Sequence, residues 1–439
     1  MKYAIDLFCG AGGMSEGIIR AGFHILFSND INEQVMRTYN NRHMQHGLIH
    51  GKNTFSYCGD IRNITGNFVL SSISSLEDFK GIDFKNKIDV IFGGPPCQGF
   101  SRAGLRKGSD DPRNFLFKEY VRVISEIKPK YVVMENVEGF LDTKLYGFIG
   151  LNGKRYNDDD CLTTKLLTNE LGMIGYSVLQ PRLLNASDYG VPQNRRRVIF
   201  IAYRNDMPEP RYPLPISSQN KVTVLEAIGD LIRDKKIRSK MNLPQSQYQV
   251  DSINGRTGIS SNGKILNNEL SEHSEIICER FSLYKEGEKA SELKKRIFNE
   301  GINLSKKPEL LKYLSSELNI SEDEVVALYK RKKNDKYYLD LLLTKKNMRT
   351  RLISNAQSLT VMTIADDYIH PIENRTFTVR EMARLQSFDD SFEFLGKRTT
   401  GGLRRRVEVP QYSQVGNAVP PLLSYAIAKE IMNVLKKEE

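Results

Sequence analysis

The sequence predicts an α/β protein: a doubly wound, mostly parallel sheet joined to a second, smaller domain. Three observations carry that expectation. Short β-rich runs alternate with amphipathic, helix-like stretches through the first half of the 439 residues, the pattern of a parallel sheet covered by helices on both faces. A glycine-rich turn follows the first run, where open sheets of this kind receive ligands. From about Asn205 the alternation stops at a proline-containing linker, DMPEPRYPLPISSQN, and a region rich in Lys, Glu, Ser and Asn follows without regular strands. Because a single core rarely grows past roughly 250–300 residues, the chain reads as a sheet domain over 1–205, a second domain over 206–395, and a segment over 396–439 that returns to the first.

The runs come in order. YAIDLF (Tyr3–Phe8) is first, and DLFCGAGGMSEG (Asp6–Gly17) turns from it into a helix. Its glycines allow a tight turn and close approach of a ligand, although Ser15 stands where a full G-x-G-x-x-G would have its last glycine. FHILFSN (Phe23–Asn29) leads to Asp30, twenty positions after Gly10, where a carboxylate can accept hydrogen bonds from ribose hydroxyls. FSYCGDI (Phe55–Ile61) brings Asp60. IDVIFGG (Ile88–Gly94) runs into Pro95, Pro96 and Cys97. Proline fixes φ and removes a donor, while Gly93, Gly94 and Gly99 permit unusual backbone angles, so the thiol is held in a fixed, non-regular pose. YVVMEN (Tyr131–Asn136) carries Glu135, and RVIFIAYR (Arg197–Arg204) follows Arg195 and Arg196.

In the second domain, Ser321 and Glu324 form a capping box and Ile320 with Val325 a hydrophobic staple, which predicts a helix from near Glu322. Glu322, Asp323 and Glu324 would repel phosphates at the mouth of a groove-reading helix, so a structural helical hairpin is favoured. After GGLRRR, the segment YSQVGNAVPPLLSYAIAKEIMNVLKK gives a turn, Pro-Pro, and a final helix with Leu422, Ala426, Ile427 and Ile431 as inward candidates.

Lys and Arg total 64 against 53 Asp and Glu, a net charge of +11 that favours a polyanionic partner. Cys9, Cys58, Cys97, Cys161 and Cys278 are scattered and never spaced Cys-x-x-Cys, which argues against a disulfide framework or a zinc site and fits a reducing cytoplasm. No apolar stretch approaches the roughly 18 residues of a membrane span, and no signal-peptide pattern precedes the first run. A soluble, cytoplasmic, metal-free protein is expected.

Residues just past each strand matter most in such a sheet. Asp30 and Asp60 beside the glycine turn describe an adenosine-containing cofactor. Cys97 and Glu135 put a thiol and a carboxyl group on one cleft, a pair suited to attack on an electron-poor ring whose nitrogen must be protonated as it accepts the sulfur. Arg195 and Arg197 alternate onto one face and can aim at the same site. Taken singly, each has a plainer alternative: a buried cysteine after a proline turn, a loop anchor, a solvated basic face.

Together these motifs resemble the DNA (cytosine-5) methyltransferase family, of the bacterial restriction-modification type. DLFCGAGG is similar to its cofactor loop, GGPPCQGFS to its nucleophile loop, ENVEGF to its catalytic acid and QNRRR to its Gln-x-Arg-x-Arg motif; RTFTVREMARLQSF and QYSQVGNAVPP resemble its two late motifs, in the family's order. The resemblance covers both ends of the chain and fails over the middle of the second domain.

The resemblance implies a Rossmann-like class I methyltransferase fold with a target-recognition domain. It implies S-adenosyl-L-methionine as cofactor, with Asp6, Phe8, Gly10 and Gly12 at the methionine end, Asp30 at the ribose, Asp60 with Ile61 at the adenine, Ile31 and Pro95 beside them, and Asn417 on the closing turn. Glutamate is commoner than Asp30 in the family. Cys97 would attack carbon 6 of a cytosine, Glu135 would hold and protonate the ring nitrogen, Arg197 would contact the exocyclic oxygen, and Arg195 would support the nucleophile loop or phosphates. The base must leave the duplex stack first. SRAGLRKGSDDPRN then reads as a mobile lid in which Ser101, Arg102, Arg106 and Lys107 meet DNA, and Arg380 as a brace for the second domain. The implied partner is double-stranded DNA, alongside a cognate restriction endonuclease, and the implied state is a monomer. The family's transfer-RNA branch is disfavoured by the lack of its Cys-Phe-Thr signature, and an inactive DNA-binding homologue by the presence of Cys97, Glu135, Arg195 and Arg197.

Overall fold

The computed structural model describes residues 1–96, 116–216, 221–253, 259–261, 263–343, 348–400, 404 and 407–437. All six expected strands are present: β1 (Lys2–Leu7), β2 (Phe23–Asp30), β3 (Phe55–Cys58), β4 (Val90–Gly93), β5 (Tyr131–Val137) and, later in the chain, β10 (Arg196–Arg204). Between the last two lie a small hairpin, β6 (Phe148–Ile149) and β7 (Arg155–Tyr156), and two short strands, β8 (Tyr176–Val178) and β9 (Arg182–Asn185). The main sheet runs β3-β2-β1-β4-β5-β10-β8, with β9 also paired to β10. Strands β1 to β5 are mutually parallel, while β10 is antiparallel to β5, β8 and β9. The chain winds outward from β1 through β3 and returns to β4 on the other side of β1. That reversal opens a crevice beyond the carboxyl ends of β1 and β4.

Both faces of the sheet are covered, which is why its central strands are apolar on alternate and intervening positions alike. One face packs Ile5, Ile91, Val132, Val198 and Phe200 under α3 (Gly66–Ser74), α4 (Leu116–Ile127) and α5 (Thr163–Met173). The other packs Ala4, Ile25, Val133, Ile199 and Ile201 under α1 (Gly13–Arg20) and the last helix, α16 (Pro421–Lys436); α2 (Glu33–Gln45) follows β2. The final helix is turned relative to the sequence expectation. Ile427 and Ile431 face inward as expected, but Leu423, Ala428 and Leu435 complete the buried stripe, and Leu422 and Ala426 sit half-buried on its flank. Spacing of three or four residues fits either neighbouring stripe when so many positions are apolar.

Helices α6 (Val224–Ile228), α7 (Lys235–Met241) and α8 (Gln247–Ile253) follow the linker. Next come α9 (Glu275–Phe281), α10 (Ala290–Glu300), α11 (Pro308–Leu318), α12 (Glu322–Lys330) and α13 (Lys336–Leu343), which share a cluster of their own around Leu293, Leu314, Val325 and Tyr329. The expected helix starts at Glu322, and Ser321 and Glu324 cap it reciprocally. A short parallel pair, β11 (Thr350–Arg351) and β12 (Tyr368–Ile369), precedes α14 (Val379–Leu385) and α15 (Gln411–Asn417). Arg380 is fully buried and donates to the carbonyls of Leu266, Asp389 and Phe392, so it ties the segment before α9 to the turn after α14.

Gly13 and Gly17 let α1 press against the chain's other end: a side chain at Gly17 would stand 2.3 Å from the Tyr425 amide nitrogen, and one at Gly13 2.4 Å from the Val419 carbonyl oxygen. The Ser424 hydroxyl also donates to the Met14 carbonyl at 2.7 Å. Gly→Ala in a helix interior ordinarily gains about 1 kcal/mol; here backbone blocks the methyl, and overpacking costs about 1–3 kcal/mol. Gly17→Ala is therefore expected to lower the urea midpoint of unfolding, and a raised midpoint would contradict this close α1–α16 contact.

Candidate active site

The carboxyl ends of the parallel strands and the amino end of β10 meet at one edge of the sheet. The register pairs Ile199 with Glu135 and Arg197 with Val137, so Arg197 stands diagonally across from Glu135. Its Nε lies 2.8 Å from Glu135 Oε1, and both side chains are about an eighth exposed, at 13% and 12%. Glu135 is inside β5 rather than after it. Arg196 points elsewhere and meets Glu138 at 3.2 Å. Arg195, just before β10, is buried and donates from Nη2 to the Gly416 carbonyl at 3.1 Å. Burial, and then the adjacent Arg197 cation, push its guanidinium well below the usual arginine range, while Glu135 pulls the other way.

The loop after β4 starts beside that carboxyl group. A side chain at Gly94 would reach within 3.5 Å of Glu135 Oε2, and one at Gly93 would run into the Tyr120 ring at 2.4 Å. Neither glycine has positive φ, so the expectation of unusual angles at these two is corrected: Tyr120 occupies the space a side chain at Gly93 would need, while one at Gly94 would make only ordinary contact with Glu135. Asn136 Nδ2 donates to the Pro95 carbonyl at 3.2 Å and fixes the loop's first step. Cys97 lies outside the described residues, as do Gly99, Ser101, Arg102, Arg106 and Lys107.

On the crevice's other side, the glycine turn has left-handed φ at Phe8 (57°), Gly10 (55°) and Gly12 (98°). A side chain at Gly10 would meet open space. Asp30 pins this turn, its carboxylate accepting from the amides of Gly10 at 3.1 Å and Asn32 at 2.9 Å. Each carboxylate oxygen can accept a further bond. Ile31 next to it leaves 67% of its surface exposed, and Asn417 is exposed at the end of α15.

Three other expected cofactor residues face differently. Asp6 is buried, its carboxylate accepting from Ser15 at 2.5 Å rather than facing open space. Ile61 is buried in the core, and its carbonyl accepts from Arg122 and the Ile64 amide. The Asp60 carboxylate is held by the Arg62 guanidinium, with contacts of 2.5 and 3.0 Å. Cys9 is buried and its thiol pushed well up by that burial, which removes it as a competing nucleophile. A cavity of about 740 Å³, lined by Glu16, Tyr248, Phe388 and Leu422 among others, includes none of the expected cofactor residues.

The family model for C-5 cytosine-specific DNA methylases matches residues 3–433. The chain belongs to that family. It is 33% identical over 436 residues to the type II methyltransferase M1.HphI of Haemophilus parahaemolyticus, covering 99% of this chain and 87% of the relative. To M.DdeI of Desulfomicrobium norvegicum it is 30% identical over 437 residues, with 97% and 88% covered. A solved DNA modification methyltransferase encoded within an E. coli prophage shares the fold, with a TM-score of 0.63 at 23% identity and 99% and 100% of the two chains covered. The methylase is thus a DNA cytosine-5 methyltransferase with the class I sheet. Among its described residues no helix is long and apolar enough to cross a membrane, and no group of three potential metal ligands occurs.

Local sequence signals for the methylase's supporting residues were weak. Asn136, Ser15 and Tyr120 are single polar groups among apolar neighbours, informative only because a buried polar group needs a partner.

Burial raises the Asp6 carboxyl from 3.8 to about 7, against the Ser15 hydrogen bond, which lowers it. Since the folded value lies above the unfolded one, the stability this group contributes is complete below about pH 4 and is lost as pH rises through 7. Asp6→Asn removes that loss. Its stability relative to the parent is expected to rise from pH 4 to 7.5 in urea melts; a difference independent of pH would contradict a buried, protonated Asp6.

Proposed function

We propose that the methylase moves the methyl group of S-adenosylmethionine to carbon 5 of a cytosine flipped out of duplex DNA, through a transient bond between Cys97 and carbon 6. The observation that carries this reading is the Arg197–Glu135 pair beside the Gly94–Pro96 loop: a carboxyl group and a guanidinium, largely shielded from water, at the loop whose next residue in sequence is Cys97.

The chemistry asks for those groups. As the Cys97 thiolate adds to carbon 6, Glu135 supplies a proton to ring nitrogen 3, and the electron pair freed at carbon 5 can take a methyl cation. Arg197 orients Glu135 and donates to the exocyclic oxygen, and Arg195 supports both from behind. After transfer, loss of the carbon 5 proton to a base and return of the nitrogen 3 proton to Glu135 expel the Cys97 thiolate and leave neutral 5-methylcytosine. Extruding the base costs a few kcal/mol, which Ser101, Arg102, Arg106 and Lys107 would offset through contacts to the DNA.

The crevice fits the cofactor on two counts: open space over Gly10, and the exposed Ile31 beside Asp30. When bound, S-adenosylmethionine supplies an electrophilic methyl group on a sulfonium. Phe8, Gly10 and Gly12 would cradle its methionine end, Asp30 the ribose, Ile31 and the backbone at Asp60 and Ile61 the adenine, and Pro95 and Asn417 would border it; Asp6 would act through Ser15. We assign sequence reading to residues 206–395. The type II designation of the relatives supports work beside a cognate restriction endonuclease.

Purified enzyme with labelled S-adenosylmethionine is expected to methylate duplex DNA and not transfer RNA. A 5-fluorocytosine duplex should trap a covalent adduct that Cys97→Ser abolishes; an adduct that survives this change removes Cys97 from the reading. Glu135→Gln is expected to slow single-turnover methylation by about 10²–10⁴-fold with cofactor affinity unchanged, and an unaltered rate would exclude Glu135 as the proton donor.

A further inference from the structure

We infer that Gln386 is a positioning residue for this reaction: it holds the Val415–Ala418 turn, which presents Asn417 to the crevice, in register with Arg195 beside Glu135. The inference rests on the assignment of Asn417 and Arg195 made above.

Gln386 directly follows α14 and is fully buried. Its Nε2 donates to the carbonyls of Val415 at 2.8 Å and Ala418 at 3.3 Å, and its Oε1 accepts from Gln193 Nε2 at 2.9 Å. Gln193, equally buried, donates through that nitrogen to the Leu385 carbonyl at 3.0 Å and accepts from the Val361 amide at 2.7 Å. Two residues on, Arg195 donates to the Gly416 carbonyl. The carbonyls of Val415, Gly416 and Ala418 are thus each bonded to a side chain from 193–195 or 386, and Asn417 is the exposed residue among them.

A primary amide has two donor hydrogens. Both amides spend both, and turning Gln386 over would aim its oxygen at two carbonyl oxygens, so the network fixes its orientation. The turn is also stopped from behind, since Val419 abuts Gly13. A shift of this turn therefore moves Asn417 and the support of Arg195 together, which couples cofactor grip to the catalytic edge.

Gln386→Glu keeps the shape and replaces the donating nitrogen with an oxygen. With full-length protein we expect weaker binding of S-adenosylhomocysteine by titration calorimetry, by about tenfold, the loss of one to two buried hydrogen bonds. KM for S-adenosylmethionine should rise in step and kcat fall, with KM for duplex DNA unchanged. If Gln386→Glu does not fold, Gln386→Met, which removes the bonds at similar volume, is read in its place. Cofactor affinity and kcat within about twofold of the parent, or a DNA KM that rises in parallel with the cofactor constants, overturns the inference. A parent protein that neither binds S-adenosylmethionine nor methylates DNA would instead sink the proposed function, so the two failures are separable.

Discussion

The antiparallel entry of β10 into an otherwise parallel sheet is the constraint on which the site depends. Strands β1 to β5 all end at one edge, and a further parallel strand would begin at the opposite one. At roughly 3.3 Å per residue, the nine residues of β10 would then carry its leading arginines some 25–30 Å from Glu135. Reversed, the strand begins where β5 ends, and its register sets Arg197 across from Glu135 at hydrogen-bonding distance. The pairing needs no loop to fold over the edge, because two rigid central strands deliver both groups.

Charge at this edge is unbalanced in a useful direction. Among the described residues, Arg195 and Arg197 supply two guanidinium groups to the carboxylate of Glu135, and no carboxylate there forms an ion pair with the buried Arg195. Removing a cation from water costs several kcal/mol unless partners replace the lost solvation. Here a carbonyl of the 415–418 turn does part of that work, and the Arg195 Nε has no hydrogen-bond partner among the described residues. An electron-rich ligand at the edge would complete the balance, which is consistent with a base oxygen or phosphate as the group the arginines meet.

Much of this was legible in the sequence, unevenly. The six strands were, because each is a short apolar run bounded by turn residues, and the capped start of α12 was, because Ser321 and Glu324 are local to one another. Glu135 and Arg197 could be picked out as candidates, yet their pairing could not: register between strands sixty residues apart is set by tertiary packing, not by either segment. Gly93 and Gly94 suggest unusual backbone angles in the sequence, but neither has positive φ, and Gly93 is required by Tyr120, a neighbour no local pattern reveals. Gln193 and Gln386 were invisible as a pair for the same reason. The stripe of α16 was misplaced by one position because nearly every residue from Pro421 to Ile427 is apolar or small.

The last helix matters beyond its own packing. Ile427, Ile431 and Leu435 cover the same face of the sheet that bears Ile25, Val133 and Ile199, and α1 rests on both. That face is therefore unfinished until the end of the chain arrives, some 400 residues after α1. The turn leading into α16 is the one whose carbonyls hold Arg195 and Gln386. Closing the hydrophobic face and fixing the polar support of the Glu135 edge are thus one event, and only a chain that includes α16 and the turn before it satisfies both. The glycine turn at the start of α1 is shaped by contact with that same segment, through Gly13, so the two walls of the crevice are set from behind by a single late element.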